Sequence, residues 1–181
     1  MNRIFSYILA FCLFVCLPIQ ASVEIKSLKL TTGNGIADNS IRYVYQDSKG
    51  FIWMATLNGL SRYDGNSFVS FRPEPGKMSL SDHRIAELYE DKNGFLWIAT
   101  TPNLYNCYDL QKDCFVDFTG CGEHTQYYKD HLETSNGDIW LWLDGNGCRK
   151  VMYRDGAFSS EVYKKEKGNL TSDRVVYIYE D

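Results

Sequence analysis

The side chains here that could hold a metal or carry a proton are three histidines, six cysteines and the carboxylates. They fall into no working set. His83, His124 and His131 share no ligand spacing, and no CxxC pair suggests zinc. Asp144-Gly145-Asn146-Gly147 opens like a calcium loop but lacks its further acidic ligands. Ser and Asp sit mostly in turn-like stretches, and no nucleophile elbow occurs. No catalytic residue, metal or cofactor is therefore expected. Recognition chemistry remains, carried by Arg42, Tyr43, Asn58, His83 and Arg84, joined by Asp144 and Asn146. Arg takes paired hydrogen bonds to a carboxylate or sulfate, and Tyr stacks on the face of a sugar. The plainer alternative for each is an exposed loop residue or an inter-repeat bond. Arg42 has one further mark: it aligns with Ala86 in the next repeat, so the repeat itself does not require it.

What positions these residues is a repeated unit. Asp47 to Asp64 reads DSKGFIWMATLNGLSRYD, Asp91 to Asp109 reads DKNGFLWIATTPNLYNCYD, and the stretch from Thr134 reads TSNGDIWLWLDGNGCRKVMY. Their tryptophans, Trp53, Trp97 and Trp140, lie 44 and then 43 residues apart. LTSDRVVYIYED, ending at Asp181, repeats LSDHRIAELYED, ending at Asp91. A period near 44 with turn signals between short apolar runs predicts an all-β chain of four-stranded propeller blades. Gly50, Gly94 and Gly137 close the tight turns, with Asp47 and Asp91 capping their backbone. FIWMA at 51–55 is apolar on both faces, as befits a strand sandwiched between neighbouring blades. The three repeat tryptophans are read as structural; Trp142, on the same face as Trp140, has no assigned role.

The expected order is a leader over 1–21, an N-terminal strand and turn over 22–35, and blades over 36–71, 80–118 and 127–163. Residues 170–181 then supply the first strand of a fourth. In such meanders the loop between the second and third strands shares a face with the link into the next blade. That face gathers Asn58, His83, Arg84, Asp144 and Asn146.

Residues 1–21 have a basic start, an apolar run and a small Ala21, the pattern of a cleaved secretory signal. Export makes disulfides permissible. Of the four cysteines beyond the leader, Cys107 and Cys114 flank a turn at Leu110-Gln111. They are read as a cross-strand disulfide or as two small buried thiols. The net charge of −4 and the absence of a dense basic patch set nucleic-acid binding aside.

The repeats resemble the two-component regulator propeller repeat, LSxxxVxxIxxDxxGxLWIGTxxGLxxYD. The first copy carries Asp47, Gly50, Trp53, Thr56, Gly59-Leu60 and Tyr63-Asp64. The second carries Leu80-Ser81, Asp91, Gly94, Leu96-Trp97-Ile98-Ala99-Thr100 and Leu104. The third keeps Gly137, Trp140 and Gly147 but has Thr134 for Asp. The resemblance implies the periplasmic sensor region of a hybrid two-component regulator, whose inducers are oligosaccharides from glycan breakdown. It implies a kinase outside this chain, an inner-membrane anchor and a homodimer in the full-length sensor. Only three and a half blades are expected here, a fragment whose open face would favour self-association. A secreted glycan lyase and a non-catalytic scaffold are the alternative functions.

Overall fold

A computed structural model describes residues 27–101, 104–119, 128–142 and 145–181. Twelve strands are described, in three four-stranded antiparallel meanders. The first is β1 (Ile41–Gln46), β2 (Ile52–Thr56), β3 (Gly59–Tyr63) and β4 (Phe68–Phe71). The second is β5 (Ile85–Glu90), β6 (Phe95–Thr100), β7 (Tyr105–Asp109) and β8 (Cys114–Val116). The third is β9 (Asp130–Glu133), β10 (Ile139–Trp142), β11 (Cys148–Arg154) and β12 (Ala157–Tyr163). Two short 3-10 turns, Thr32–Asn34 and Lys165–Lys167, are the described helical elements. β5 lies against β1 and β2, so the sheets stack as consecutive propeller blades.

Turn chemistry starts each blade. Asp47 Oδ1 accepts the amides of Lys49 (3.0 Å) and Phe51 (2.9 Å), and Oδ2 accepts Trp53 Nε1 at 2.7 Å. Asp91 does the same for Asn93, Phe95 and Trp97 at 2.9, 3.0 and 2.8 Å. One carboxylate thus fixes both the turn and the tryptophan six residues on. In the third blade Thr134 stands in its place and holds only the turn, accepting the Asp138 amide and donating to the Asp138 carbonyl. In all three turns the glycine amide returns to the residue three before it, from Gly50, Gly94 and Gly137.

The core lies between the sheets. Trp53, Ala55 and Leu60 of the first sheet pack with Ile85, Leu88, Leu96, Ile98 and Tyr108 of the second. Phe95, Trp97, Ala99 and Tyr105 of the second pack with Ile139, Leu141 and Val151 of the third. Alternate residues of β6 therefore enter different cores, which is why every residue of β6 is buried.

Three expectations change. Cys107 and Cys114 are free thiols: Cys107 lies opposite Val116, and Cys114 lies opposite Asp109. The turn between them is four residues long and ends at Asp113, in the left-handed region at φ 58°. Asp109 Oδ1 caps it by accepting the amides of Gln111 and Lys112, so the cysteines are offset rather than paired. Burial, with Asp91 and Asp109 adding to it, pushes the Cys107 thiol well up. Of the N-terminal strand, residues 22–26 lie outside the described residues and 27–30 form no strand. The tryptophans also part company. Trp53 and Trp97 are buried, whereas Trp140 is half-buried and Trp142 is buried instead. Trp140 and Trp142 face away from the second sheet, towards residues 170–181, and Trp142 packs edge-on to Tyr177 at 6.4 Å.

Residues 170–181 join no ladder, yet they dock on the third sheet much as β5 and the link before it dock on the first. Gly59 donates its amide to the His83 carbonyl at 2.6 Å, and Gly147 donates to the Asp173 carbonyl at 2.8 Å. Both positions require glycine. A Cβ on Gly59 would sit 2.5 Å from the Phe71 carbonyl oxygen, and one on Gly147 would sit 2.1 Å from that of Tyr163. Their φ values, +119° and +77°, also disfavour any side chain.

Candidate functional site

The Gly59–His83 bond draws the loop after β2 onto the link entering β5. Asn58, His83 and Arg84 therefore meet at one end of the first two sheets. Asn58 is exposed, and its amide donates to Thr56 Oγ1 at 3.1 Å. Arg84 is anchored: Nε reaches Asp82 Oδ1 at 3.3 Å and Nη2 reaches the Thr101 carbonyl at 3.1 Å. Burial acts to raise the Asp82 carboxyl, but the amide and guanidinium of Arg84 outweigh it and hold the group below its ordinary value.

Arg42 is the extra residue of a β-bulge. Ile41 lies opposite Thr56 and Tyr43 opposite Ala55, leaving Arg42 unopposed. Ala86 occupies the same bulge in the second sheet, between Ile85 and Glu87. Bulges re-aim a side chain, and Arg42 is exposed with no partner among the described residues. Tyr43 is partly exposed on the same strand. The bulge adjoins the strand end that carries Asn58. Asn146 belongs to the third sheet's equivalent loop, where Asn146-Gly147 corresponds to Asn58-Gly59. Their recurrence marks both asparagines as turn residues first. Asp144 lies outside the described residues.

A cleft of about 650 Å³ opens beside His83. Pro73, Pro75, Met78 and Leu80 form apolar walls, and His83 and Asn106 contribute polar edges. Asn106 is buried and rigid: its Oδ1 accepts the Ser81 amide at 2.8 Å, and its Nδ2 donates to Ser81 Oγ at 3.1 Å. An ion pair between Lys77 and Glu74 sits at the rim. Volume and lining suit a small organic ligand with both ring faces and hydroxyls. Sequence reasoning treated residues 72–79 as a plain link. Their two prolines and Met78 were the available signal.

The sequence reading also missed a set of inter-blade glutamates. Ser48 donates its amide to Glu90, Lys92 to Glu133 and Ser135 to Glu180, at 2.8, 3.0 and 2.6 Å. The recurring Tyr-Glu-Asp at 89–91 and 179–181 was the signal. Among the described residues no histidine, cysteine or carboxylate group could hold a metal ion.

The family model for the two component regulator propeller matches residues 35–58 and 79–101. These two segments, in the first and second blades, are similar to that propeller repeat. Solved structures agree with this propeller. The extracellular domain assigned to the hybrid two component system BT3049 from B. thetaiotaomicron matches at 23% identity and a TM-score of 0.59, over 81% of this chain and 21% of that one. The extracellular domain of BT4673 from the same organism, assigned to a hybrid two component system, matches at 27% identity and a TM-score of 0.54, over 83% of this chain and 22% of that one. A second structure of that domain, assigned to a one component system, matches at 28% identity and a TM-score of 0.52, over 78% and 21%. The chain thus spans about a fifth of the length of the structures it matches. No curated protein matches it. The third blade, with Thr134 in the aspartate position, falls outside the two matched segments.

Proposed function

We propose that these blades belong to a ligand-sensing propeller that lies outside the cytoplasm and performs no catalysis. The ligand class is a glycan-derived oligosaccharide, and the signal passes to a kinase carried outside these residues. In the full-length sensor the propeller is held at the inner membrane and works as a homodimer. The observation that carries this reading is the pair of regulator propeller repeats at 35–58 and 79–101. Its support is the likeness to extracellular domains of two component systems. Residues 1–21, a secretory signal by sequence, fit that location. Among the described residues no helix is long and apolar enough to cross a membrane.

The cleft beside His83 is the proposed binding place. Pro73, Pro75 and Met78 offer apolar surface to a sugar ring, and His83 and Lys77 offer donors to hydroxyls or an acidic substituent. A ligand would signal by binding one arrangement of the blades more tightly than another. The test is calorimetric titration of the chain with neutral and acidic oligosaccharides. Binding is expected, weakened about tenfold in H83A, on the order of one lost hydrogen bond. Release of unsaturated sugar products would point instead to a lyase. Failure of every saccharide to bind would overturn the ligand class.

A further inference from the structure

The joint between the second and third sheets differs from its neighbour. At the first joint Leu60 on β3 and Leu88 on β5 share an apolar core. The equivalent residues at the second joint are Tyr105 on β7 and His131 on β9. The Tyr105 hydroxyl lies 3.2 Å from His131 Nδ1. The His131 ring also lies against Tyr89 on β5, with centroids 4.9 Å apart. We propose that Tyr105 and His131 form a pH-sensitive joint between the second and third blades.

A neutral imidazole protonated on Nε2 presents the Nδ1 lone pair to the Tyr105 hydroxyl, which donates to it. Burial, followed by Glu87 and Asp130, pushes the Tyr105 hydroxyl up, so it stays a donor through the neutral range. A solvent proton taken up at Nδ1 removes the acceptor. Tyr105 then rotates its hydrogen away and accepts from the imidazolium, a charge-assisted bond stronger than the neutral one, with Asp130 Oδ1 3.8 Å from the same nitrogen. The groups facing the ring are Asp130 and Glu133 on its own strand, Tyr89 and Glu87 on β5, and Tyr105 on β7. Its register partner on β10 is Leu141, which carries no charge. Glu133 is already engaged by the Tyr89 hydroxyl and the Lys92 amide. The His131 side chain is 14% exposed, so solvent protons reach it. An imidazole changes charge between about pH 5 and 8. The joint therefore tightens as an exported domain meets acid.

The test is hydrogen–deuterium exchange of the full chain from pH 8 to pH 5, corrected for intrinsic rates, with the β1–β2 hairpin as internal reference. Amides of β9 are expected to gain about fivefold protection as pH falls across the range, on the scale by which a charge-assisted hydrogen bond exceeds a neutral one. H131Q keeps an acceptor at every pH and should abolish the step, as should Y105F, which lacks the donor. H83Q and H124Q should retain it. A step that survives in H131Q, or its absence from the wild type, overturns the proposal. If H131Q fails to fold, NMR of the wild type decides. Tyr105 ring shifts that titrate together with His131 support the joint, and an unmoved Tyr105 overturns it.

Discussion

The backbone amide of Ser48 donates to the Glu90 carboxylate at 2.8 Å across 42 residues of chain. The residue after each turn aspartate, or after Thr134, is thereby held by a glutamate of the segment that follows on the next repeat. Lys92 with Glu133 and Ser135 with Glu180 repeat the relation. E90A should destabilise the chain by about 1–2 kcal/mol and E90Q by less, since a carboxylate is the stronger acceptor. Urea unfolding monitored by tryptophan fluorescence measures both.

Arg62 bridges the same joint further out. Its guanidinium lies 4.8 Å from the Phe51 ring centroid and 5.5 Å from that of Trp53, and it pairs with Asp113 of the second sheet. Its side chain is mostly buried, and R62A is expected to cost about 2 kcal/mol. R62K should recover less than half, because an ammonium cannot reproduce the flat stack and forked bond. Thermal melts of the three proteins test the order.

Gly59 and Gly65 both adopt positive φ, yet only the first is crowded. G65A meets nothing within 4 Å and should cost about 1 kcal/mol from backbone strain alone. G59A adds a collision with the Phe71 carbonyl and should cost several-fold more. Equal melting temperatures for the two variants would contradict the close approach at the Gly59–His83 contact.

W97A should lose about 3–5 kcal/mol, because Trp97 is buried and bonded to Asp91. W140A should lose less, about 1–3 kcal/mol, since its ring is half-buried. Denaturant midpoints at a common slope compare them.

Asp138 carries the clearest pH effect. Burial alone would raise its carboxyl, but hydrogen bonds from Lys150 and Arg154 more than offset this and hold it below the ordinary value. A carboxyl lowered on folding adds stability above its unfolded value, near pH 4, and that stability is lost as pH falls through the folded value. Stability should therefore show an acid limb below about pH 4 that flattens in D138N. At pH 7 the variant should be about 2 kcal/mol less stable. Urea midpoints from pH 7 to pH 2.5 provide the comparison.

The blades were legible because their cause is local. Asp47, Gly50 and Trp53 sit within one turn and one strand, and their chemistry recurs at a fixed period. Residues on the proposed binding face were harder to judge. Arg42 stood out by alignment, but only the bulge explains why it projects. Asn58 and Asn146 look ligand-like one at a time and turn-like as a pair. The cleft beside His83 depends on how residues 72–79 fold back, which no periodic signal encodes. The Cys107–Cys114 expectation failed on a turn two residues longer than assumed, set by Asp109 capping and left-handed Asp113.

The glutamate contacts bear on how such a chain can change over generations. Each reaches back a single repeat and bonds a main-chain amide, which any residue except proline supplies. A blade can therefore differ inside, as the third does in carrying Thr134 where the other two have aspartate, while its seam stays sewn by Glu180 to Ser135. A duplicated repeat would arrive with both halves of its seam already in place. Lengthening or diversifying the array needs no matching invention next door, so copies are free to acquire private features such as the His131 joint.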